Sequence, residues 1–404
     1  MIALVLTAAV SGAALVALCL ALLNLRFVRP VPAGPGRSGL SGPATRPLVS
    51  ALVPARDEAF AIGACLDALA AEPFDEILVF DDESRDATAA LVTARVARDP
   101  RIRLLRSAGP LPAGWAGKPR ACARLTEAAR GDLLVFIDAD VRLEPGGLDG
   151  LLCAREAARA DLVCALPRQE LGGFAERLVV PLLHLVYFAL APLWLVSKVR
   201  APSVTVANGQ VLLATAAALR SFGGHAHPAV RGAVVEDQVL CRTAKEHGLR
   251  LLFADGQHLA RCRMYRSWPE VRQGFAKNLY LGIGATPLRL AGVLALLHWI
   301  FLVPLLALAV GALSFLEGLG GLRPLLLAAL PGVAALALLR FLLARRFRQA
   351  ALPAVLLHPL SICALTFIAL DSAAKAHGGA VSWRGRLYGR GAGALPATPV
   401  GARR

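Results

Sequence analysis

Apolar and polar positions divide the chain into two kinds of segment. Between Leu48 and about Asp255, short apolar runs end on polar clusters. The second kind of segment is a longer run of almost entirely apolar residues, and Arg340 interrupts one of these runs. Each of these longer runs is long enough, or nearly so, to cross a bilayer as a helix. The four runs are 2–25, 290–313, 324–344 and 351–370. The pattern therefore predicts a folded domain flanked by membrane-spanning helices.

Within the folded domain, predicted strands alternate with predicted helices. The strands are 48–53, 77–80, 102–105 and 133–137, and the helices are 59–71, 87–97 and 120–129. This succession predicts an α/β fold with a mostly parallel sheet and helices on both of its faces. In such sheets, ligands bind outside the carboxyl ends of the strands.

Polar residues follow three of the predicted strands. Pro54 follows the first strand, Asp81 and Asp82 follow the second, and Asp138 and Asp140 follow the fourth. Alternation along an extended backbone places Asp138 and Asp140 on the same side. Two such carboxylates can hold a divalent cation, and that cation can hold a diphosphate. Solvated acids that only end a strand are the alternative.

The first apolar run is interpreted as a retained anchor rather than a signal peptide. It lacks a basic start, and basic residues follow it at Arg26, Arg29, Arg37 and Arg46. The positive-inside rule then puts the N-terminus outside and the following domain in the cytoplasm. With three C-terminal spans, a basic tail after Asp371 would lie outside, against that rule. One of the three segments is then re-entrant, or the tail violates the rule.

A further apolar segment, 178–197, lies inside the predicted domain. As a full span it would place the residues on its two sides across the membrane from each other. It contains two prolines, aromatic residues and His184. These features favour an interfacial or re-entrant segment.

The formal net charge is +16, from 44 basic and 28 acidic residues. Flanks of membrane spans, anionic lipid or a polyanionic substrate could each account for it. Binding of nucleic acid is not expected, because no basic stripe is interleaved with aromatic residues. The eight cysteines include no Cys-x-x-Cys pair, which indicates buried reduced thiols in a cytoplasmic domain.

The order and spacing of several motifs resemble the family 2 inverting glycosyltransferases with a GT-A fold. The likeness covers about 48–285 and includes the Gly-Lys loop and the Glu-Asp pair of that family. The motifs are Val53-Pro-Ala-Arg-Asp-Glu-Ala59, Phe80-Asp-Asp-Glu-Ser-Arg-Asp-Ala-Thr88, Gly114-Trp-Ala-Gly-Lys-Pro-Arg-Ala121, Asp138-Ala-Asp140, Glu236-Asp237 and Arg261-Cys-Arg-Met-Tyr-Arg-Ser-Trp268.

Within the family, the chain is most similar to hopene-associated and carotenoid-acid glycosyltransferases. The features are Gly114–Lys118, the run from Arg263 to Asn278, and the tail from Trp383 to Tyr388. Ceramide glucosyltransferases share the layout of spans. The resemblance implies these domains: anchor 1–25, linker 26–47, catalytic domain 48–285, C-terminal transmembrane helices 286–372 and basic tail 373–404.

The resemblance implies a nucleoside-diphosphate sugar donor, with UDP as the expected nucleotide, and Mg²⁺ or Mn²⁺ as cofactor. Asp140 is the first choice as metal ligand, with Asp138 supporting the metal site or touching the sugar. Lys118, a mobile cation on a Gly-flanked loop, suits the nucleotide or its phosphates. The donor-binding residues implied are Ala55, Arg56, Glu58, Asp82, Lys118, Asp138, Arg263, Arg266 and Trp268.

An inverting transfer needs a base to take the proton from the acceptor hydroxyl. Asp237 is the implied base, and Glu236 would orient it or bind the acceptor. The pair opens a predicted helix, 236–247, whose N-terminus tends to keep an Asp ionised. Helix capping alone is the alternative.

Acceptor binding is assigned by resemblance to Asn208, Gly209 and Trp268. Trp268 follows Arg266 one place later than in the family pattern, so the division of roles between Arg263 and Arg266 is open. His225 and His227 lack a third metal ligand, which favours a flexible loop near the acceptor.

The sequence predicts a multi-pass enzyme of the plasma membrane that moves a sugar to a lipid hydroxyl or carboxylate. A hopanoid, carotenoid or other polyisoprenoid is the expected acceptor. The alternatives are a ceramide-type or polyprenyl-phosphate glycosyltransferase, a polysaccharide synthase, and an inactive membrane scaffold.

Overall fold

Two units make up the fold of this computed structural model. It describes residues 2–34, 46–107, 109–318, 323–377, 381–383 and 386–388. The helical unit comprises Met1–Phe27, Leu171–Leu193 and Tyr265–Gly378, and the sheet unit comprises Val28–Glu170, Trp194–Met264 and Gly379–Arg404. Much of the predicted linker and most of the predicted basic tail lie outside the described residues.

The strands form a large sheet, a small sheet and a hairpin. They are β1 (Val49–Ala55), β2 (Glu76–Asp81), β3 (Ile102–Arg106), β4 (Leu133–Ile137), β5 (Val141–Leu143), β6 (Leu162–Leu166), β7 (Arg168–Gln169), β8 (Val211–Thr215), β9 (Leu251–Asp255), β10 (Ala260–Cys262), β11 (Val381–Trp383) and β12 (Arg386–Tyr388). The large sheet has the order β3-β2-β1-β4-β8-β6-β9, the small sheet has the order β5-β10-β7, and β11 pairs with β12.

The helices occur in both units. They are α1 (Ile2–Phe27), α2 (Ile62–Ala70), α3 (Thr88–Val96), α4 (Gly117–Ala128), α5 (Gly147–Ala158), α6 (Phe174–Val179), α7 (Pro181–Leu190), α8 (Leu193–Val196), α9 (Ala216–Phe222), α10 (Glu236–Glu246), α11 (Trp268–Gly282), α12 (Pro287–Phe301), α13 (Val303–Leu316), α14 (Arg323–Arg346), α15 (Ala351–Leu356) and α16 (His358–His377).

The large sheet is mostly parallel, as the sequence predicts. Parallel pairs join β1 to β2, β2 to β3, β1 to β4, and β6 to β9. Strand β8 runs antiparallel to both of its neighbours. Every residue of β2 and β4 is buried, which explains why these strands read as continuous apolar runs without alternation.

The first strand extends further than predicted. Pro54 was expected to end it, yet β1 continues to Ala55, with Pro54 paired in register with Phe80. On its other side, pairing with β4 ends at Leu52. Because that side is unpaired at Pro54, the missing N–H of proline removes no ladder hydrogen bond.

The small sheet continues the chain directly after the two aspartates that follow β4. Strand β10 pairs antiparallel with β5 and parallel with β7. Oppositely charged side chains tie its strands together: Arg142 pairs with Glu170, and Arg168 Nη2 lies 3.1 Å from Glu144 Oε1. Arg261 lies 3.6 Å from both acids.

Three helical segments of the described chain are long and apolar enough to cross a membrane: Val5–Phe27, Pro324–Arg346 and His358–His377. Helices α11 and α12 form a further apolar pair that is bent by 113°. The predicted run 290–313 is not one helix, because it breaks at Leu302, before Pro304 in the first turn of α13. Segment 178–197 contains α7 and α8, neither of which is long enough to span a bilayer.

A serine on α1 forms hydrogen bonds with two backbone groups of α14 next to a proline. Pro331 lies inside α14. Next to it, Ser11 Oγ accepts from the Gly332 N–H at 2.9 Å and donates to Ala328 O at 2.6 Å. A Cβ at position 332 would lie 2.7 Å from Ser11 Oγ, so glycine allows this approach. The serine hydroxyl stands where a backbone bond would join Gly332 to Ala328.

We expect Ser11→Ala to lower the free energy of unfolding by about 1–2 kcal/mol, the scale of an interhelical hydrogen bond in a membrane. Unfolding of the purified protein in mixed detergent micelles measures the change. Ser314→Ala is the matched control, because the Ser314 hydroxyl is buried but bonds only to Val310 O of its own helix. Equal losses in the two variants would contradict the role of Ser11.

Candidate active site

The carboxyl ends of β1, β2 and β4 carry the polar residues singled out in the sequence. These strands are neighbours and run parallel, so their ends meet at one edge of the sheet. The loops after β1 and β2 bind each other. Asp82 N–H donates to Ala55 O at 2.9 Å, and Arg56 Nη1 donates to Asp82 O at 2.5 Å. Asp82 is buried. Three predicted donor-binding residues are thus brought together.

Both loops turn through left-handed backbone conformations. Asp57 has a φ of 52° and Glu83 a φ of 61°, which side chains other than glycine adopt at some cost. Hydrogen bonds hold these turns, including Asp57 N–H to Ser84 Oγ at 3.0 Å. Glu58 N–H donates to Thr88 Oγ1 at 2.8 Å, which places this predicted donor-binding residue beside α3.

A lysine joins two of the predicted carboxylates. Lys118 Nζ lies 2.6 Å from Asp138 Oδ1 and 2.9 Å from Glu236 Oε1. Burial alone lowers the pKa of Lys118, but the charges of Asp138 and Glu236 outweigh it and hold that pKa well above its ordinary value. The lysine therefore stays charged and links the end of β4 to the start of α10.

The prediction that Lys118 lies on a loop is wrong. Helix α4 begins at Gly117, so Lys118 lies in its first turn. The Ala116 N–H donates to Arg231 O at 2.7 Å, which fixes the approach to the helix. Pro119 is tolerated there because the first-turn N–H groups have no partner within the helix.

Asp237 lies in the first turn of α10. Its Oδ1 accepts from Gln238 N–H at 2.8 Å. A Cβ on Gly209 would lie 3.0 Å from Asp237 Cβ and 3.3 Å from Lys118 Nζ, so glycine leaves room at this point. The N-cap is Val235, which makes no side-chain cap hydrogen bond. Neither acid of the pair therefore occupies the N-cap position.

Burial raises the pKa of Asp237 to about 6, with a further rise from the charge of Glu236 and a partial offset from Lys118. The sequence predicted that the helix N-terminus would favour the ionised form. The direction is the opposite, because desolvation and a like charge outweigh the helix dipole. At neutral pH Asp237 is still deprotonated, with a pKa near the range in which a general base works best.

The pH dependence follows from this pKa. We expect kcat/KM for sugar transfer to fall about tenfold per unit as the pH drops below about 6, because only deprotonated Asp237 accepts a proton. In Glu236→Gln, removal of the neighbouring charge should move the midpoint to lower pH. Profiles from pH 4.5 to 8.5 at saturating Mn²⁺ test this, and an unmoved midpoint in Glu236→Gln would contradict it.

Asp140 has the properties of a cation ligand. Its Oδ1 is buried and has no hydrogen-bond partner among the described residues. Burial, together with the charge of Asp138, raises the pKa of Asp140 to about 6, while Lys118 and a hydrogen bond with Cys262 oppose the rise. An unpaired buried carboxylate oxygen is costly, and a divalent cation would satisfy it.

The described residues contain no group of three or more His, Cys, Asp or Glu side chains arranged to hold a metal. Asp138 and Asp140 would therefore supply carboxylates, with the remaining ligands coming from water and substrate phosphates. Such sharing is usual for Mg²⁺. The residues present fit a cation that is bound together with its diphosphate.

Sequence reasoning missed the buried groups behind the aspartates. Gln169 Nε2 donates to Gln210 Oε1 at 2.9 Å, and Gln210 Nε2 donates to Cys262 Sγ at 3.1 Å. Gln210 O accepts from Asp138 N–H at 3.1 Å. Both glutamines adjoin apolar strands in the sequence, and this position could have indicated that they are buried. Their contact with each other and with Cys262 depends on three segments that are distant in sequence.

Three residues that were predicted to lie at the acceptor pocket or on a loop near it have partners within the fold. Asn208 Oδ1 accepts from Gln210 N–H at 3.1 Å, which forms a tight turn before β8. His225 is not on an open loop: it is buried in a 3₁₀ turn, with its ring 4.7 Å from that of Phe136. Burial lowers the pKa of His225 to about 4, so it is neutral. His227 Nδ1 accepts from Ala229 N–H.

The Arg-rich segment divides between the units. Arg263 follows β10 in the sheet unit, whereas Arg266 and Trp268 belong to the helical unit. Ser267 caps α11 by accepting from Glu270 N–H, which explains why a residue separates Arg266 from Trp268. The Trp268 ring stacks on Phe367 at 6.4 Å.

Comparison with known proteins gives one family match and a similar fold. Residues 50–189 match the family model for glycosyl transferase family 2. The mannosyltransferase PcManGT from Pyrobaculum calidifontis, solved with GDP-Man and Mn²⁺, is 19% identical with a TM-score of 0.53, over 93% of this chain and 97% of its own. No curated protein matches the chain.

A glucosyl-3-phosphoglycerate synthase from Mycobacterium tuberculosis, solved with Mn²⁺, UDP and phosphoglyceric acid, is 23% identical with a TM-score of 0.36. The match covers 57% of this chain and 76% of that one. The chain shares with PcManGT a GT-A-like fold, a mostly parallel sheet with helices. Residues 50–189 form a domain that matches glycosyl transferase family 2.

Proposed function

We propose that the protein transfers a sugar, with inversion, from a nucleoside-diphosphate sugar to a membrane lipid. The observation that carries the proposal is the ion-paired chain from Asp138 through Lys118 to Glu236, with Asp237 beside it. These ion pairs connect the end of β4, which would hold the cation, to the segment that carries Asp237, the proposed base. PcManGT, which shares the fold, was solved with GDP-Man and Mn²⁺.

In this reaction, the acceptor oxygen attacks the anomeric carbon of the sugar. The bond from that carbon to the phosphate oxygen breaks, and its electron pair goes to the nucleoside diphosphate. Asp237 takes the acceptor proton, and Glu236, held by Lys118, keeps Asp237 in place. A divalent cation on Asp140 and Asp138 would neutralise charge on the diphosphate. Arg56 and Asp82 border the nucleotide, which is expected to be UDP.

The apolar helices support a lipid acceptor. Three segments are able to cross a membrane, and a transferase acting on soluble acceptors needs none. The motif likeness to hopene-associated and carotenoid-acid glycosyltransferases supports a hopanoid, carotenoid or other polyisoprenoid, glycosylated on a hydroxyl or a carboxylate. Arg263, Arg266 and Trp268 are proposed to contact donor or acceptor, with Asn208 and Gly209 lining the acceptor pocket.

The proposed location is the plasma membrane, with the sheet unit in the cytoplasm, where nucleotide sugars are made. If α1, α14 and α16 are the spans and α11–α12 is re-entrant, the N-terminus lies outside. The basic tail then returns to the cytoplasm, in agreement with the positive-inside rule. Labelling of a cysteine introduced in the tail should require permeabilised cells.

Membranes that contain the protein test the proposal. When they are supplied with labelled UDP- and GDP-sugars and polyisoprenoid extracts, these membranes should form a neutral glycolipid. The product should be alkali-stable if the acceptor group is a hydroxyl and ester-linked if it is a carboxylate. A water-soluble polymer would indicate a polysaccharide synthase, and an acid-labile sugar phosphate would indicate a polyprenyl-phosphate transferase. A ceramide product would indicate the ceramide type. No turnover of any donor would leave the inactive scaffold as the explanation.

A further inference from the structure

A side chain next to the proposed base holds an irregular stretch of backbone in the sheet unit. Gln238 follows Asp237 in α10, and both polar atoms of its amide group bond to backbone. Its Nε2 donates to Thr205 O at 2.7 Å, and its Oε1 accepts from Ala207 N–H at 3.0 Å. The amide thus satisfies backbone groups of a stretch that is neither strand nor helix.

The same helix holds the beginning of this irregular segment. Lys245 lies about two helical turns beyond Gln238. Its ammonium group donates to three backbone carbonyl oxygens: Val196 O at 2.7 Å, Val199 O at 2.9 Å and Val204 O. Three such bonds use all the N–H groups of a lysine. The backbone from 196 to 207 is therefore attached to α10 at two places.

Shortly after the second attachment, the backbone reaches the proposed base. Asn208 alone separates Ala207 from Gly209, so their Cα atoms are at most about 7 Å apart. A Cβ added to Gly209 would lie 3.0 Å from Asp237 Cβ and 3.3 Å from Asp237 Oδ2. The bond from Gln238 to Ala207 therefore limits how far this backbone can move from the Asp237 carboxylate.

The sheet fixes the other end of the same stretch. Gln210 O accepts from Asp138 N–H at 3.1 Å, and β8 begins one residue later. Asn208 Oδ1 closes the turn by accepting from Gln210 N–H at 3.1 Å. Gln238 thus supplies the attachment on the side of the base, whereas β4 supplies the attachment on the side of the proposed cation ligands.

Stability alone would explain a side chain that satisfies backbone groups, and Lys245 does so for three carbonyl groups of the segment. Gln238 differs in its position. Its own N–H donates to Asp237 Oδ1 at 2.8 Å, while its amide holds Ala207. One residue therefore contacts both the base and the backbone that leads to the facing glycine.

We propose, on the basis of the proposed function, that Gln238 is a positioning residue for sugar transfer. It holds Ala207 so that Asn208 and Gly209, the proposed wall of the acceptor pocket, stay against Asp237. Loss of its two hydrogen bonds should let this wall move away from the base, so that the acceptor binds less well. Donor binding should change little, because the amide bonds to backbone on the acceptor side.

Kinetics of Gln238→Leu test this role, because leucine removes both hydrogen bonds and keeps an apolar side chain of similar size. Membranes that contain the protein receive a labelled UDP- or GDP-sugar, and the polyisoprenoid extract is titrated as acceptor. We expect kcat/KM for the acceptor to fall at least about tenfold, mostly through KM, with the donor KM within about twofold of wild type. Arg242→Gln is the control, since Arg242 Nε lies 3.2 Å from Glu246 Oε1 on the same helix.

Hydrogen exchange in the purified protein, without substrate, tests the contact itself and shows whether the variants fold. The Ala207 amide should exchange at least about tenfold faster in Gln238→Leu, while β1–β4 exchange as in wild type. In Gln238→Glu, the carboxyl group donates to Thr205 O only when it is protonated. Protection of Ala207 relative to wild type should therefore increase from pH 8 to pH 5 in that variant.

The outcomes separate this role from the proposed function. No turnover by wild-type protein would remove the proposed function and the role of Gln238 together. With wild-type turnover, an unchanged acceptor KM in folded Gln238→Leu would overturn the role of Gln238 alone. Equal losses of donor and acceptor affinity, or exchange at Ala207 that neither variant alters, would also overturn it.

Discussion

Asp237→Asn should lower kcat for sugar transfer by a factor of about 10²–10⁴, the usual contribution of a general base. The amide has the same shape as the carboxylate but cannot accept the acceptor's proton. Donor affinity should change little, because Lys118 contacts Asp138 and Glu236 and would still hold them. Initial rates and donor binding in purified protein measure the two effects separately.

The same substitution should leave the fold intact. A carboxyl group whose pKa is raised on folding stabilises the protein fully below its unfolded pKa, and this contribution is lost progressively as the pH rises through about 6. At pH 7 the ionised form is a cost, so the neutral amide should not lower the melting temperature. Glu246→Gln, at the exposed end of α10, is the control. Wild-type turnover in Asp237→Asn would remove Asp237 as the base.

Asp140→Asn should reduce sugar transfer at least about 100-fold and weaken Mn²⁺ binding. The reason is the buried Oδ1, which has no partner among the described residues and which a cation would satisfy. A neutral amide keeps the shape but removes the charge on which a hard cation depends. Electron paramagnetic resonance of Mn²⁺, with and without UDP, measures binding directly.

Asp132→Asn offers a matched control at the opposite end of the same strand. Asp132 Oδ2 accepts from Leu48 N–H at 3.0 Å at the amino end of β4, whereas the cation ligands follow its carboxyl end. This variant should bind Mn²⁺ as wild type does. If Asp140→Asn also retained Mn²⁺ affinity and rate, Asp138 or a different group would have to hold the cation.

Some features were predictable because they depend on neighbours in sequence. Apolar runs that stop at acids indicated β2 and β4, and their alternation with helices indicated a mostly parallel sheet. The length of the apolar segments indicated α1, α14 and α16. The order and spacing of the motifs also assigned Asp138 and Glu236 to one predicted active site, although nearly a hundred residues separate them.

Other features depend on contacts that no local pattern shows. The side chain of Lys118 could have pointed to solvent. Only the packing of α4 against the sheet directs its ammonium group to two carboxylates. The direction of the Asp237 pKa shift also needed the structure, because burial and Glu236 outweigh a helix dipole that the sequence alone made prominent.

By itself, then, the sequence determined the class of fold, the acidic strand ends and the apolar segments, since these follow from periodicity along the chain. Tertiary structure alone decided how those residues are paired and where charge is buried. It placed Lys118 between carboxylates, broke the run 290–313 at Leu302, and joined Ser11 of α1 to the backbone of α14. Each outcome depends on desolvation and on contacts between distant segments, which act only once the chain has folded.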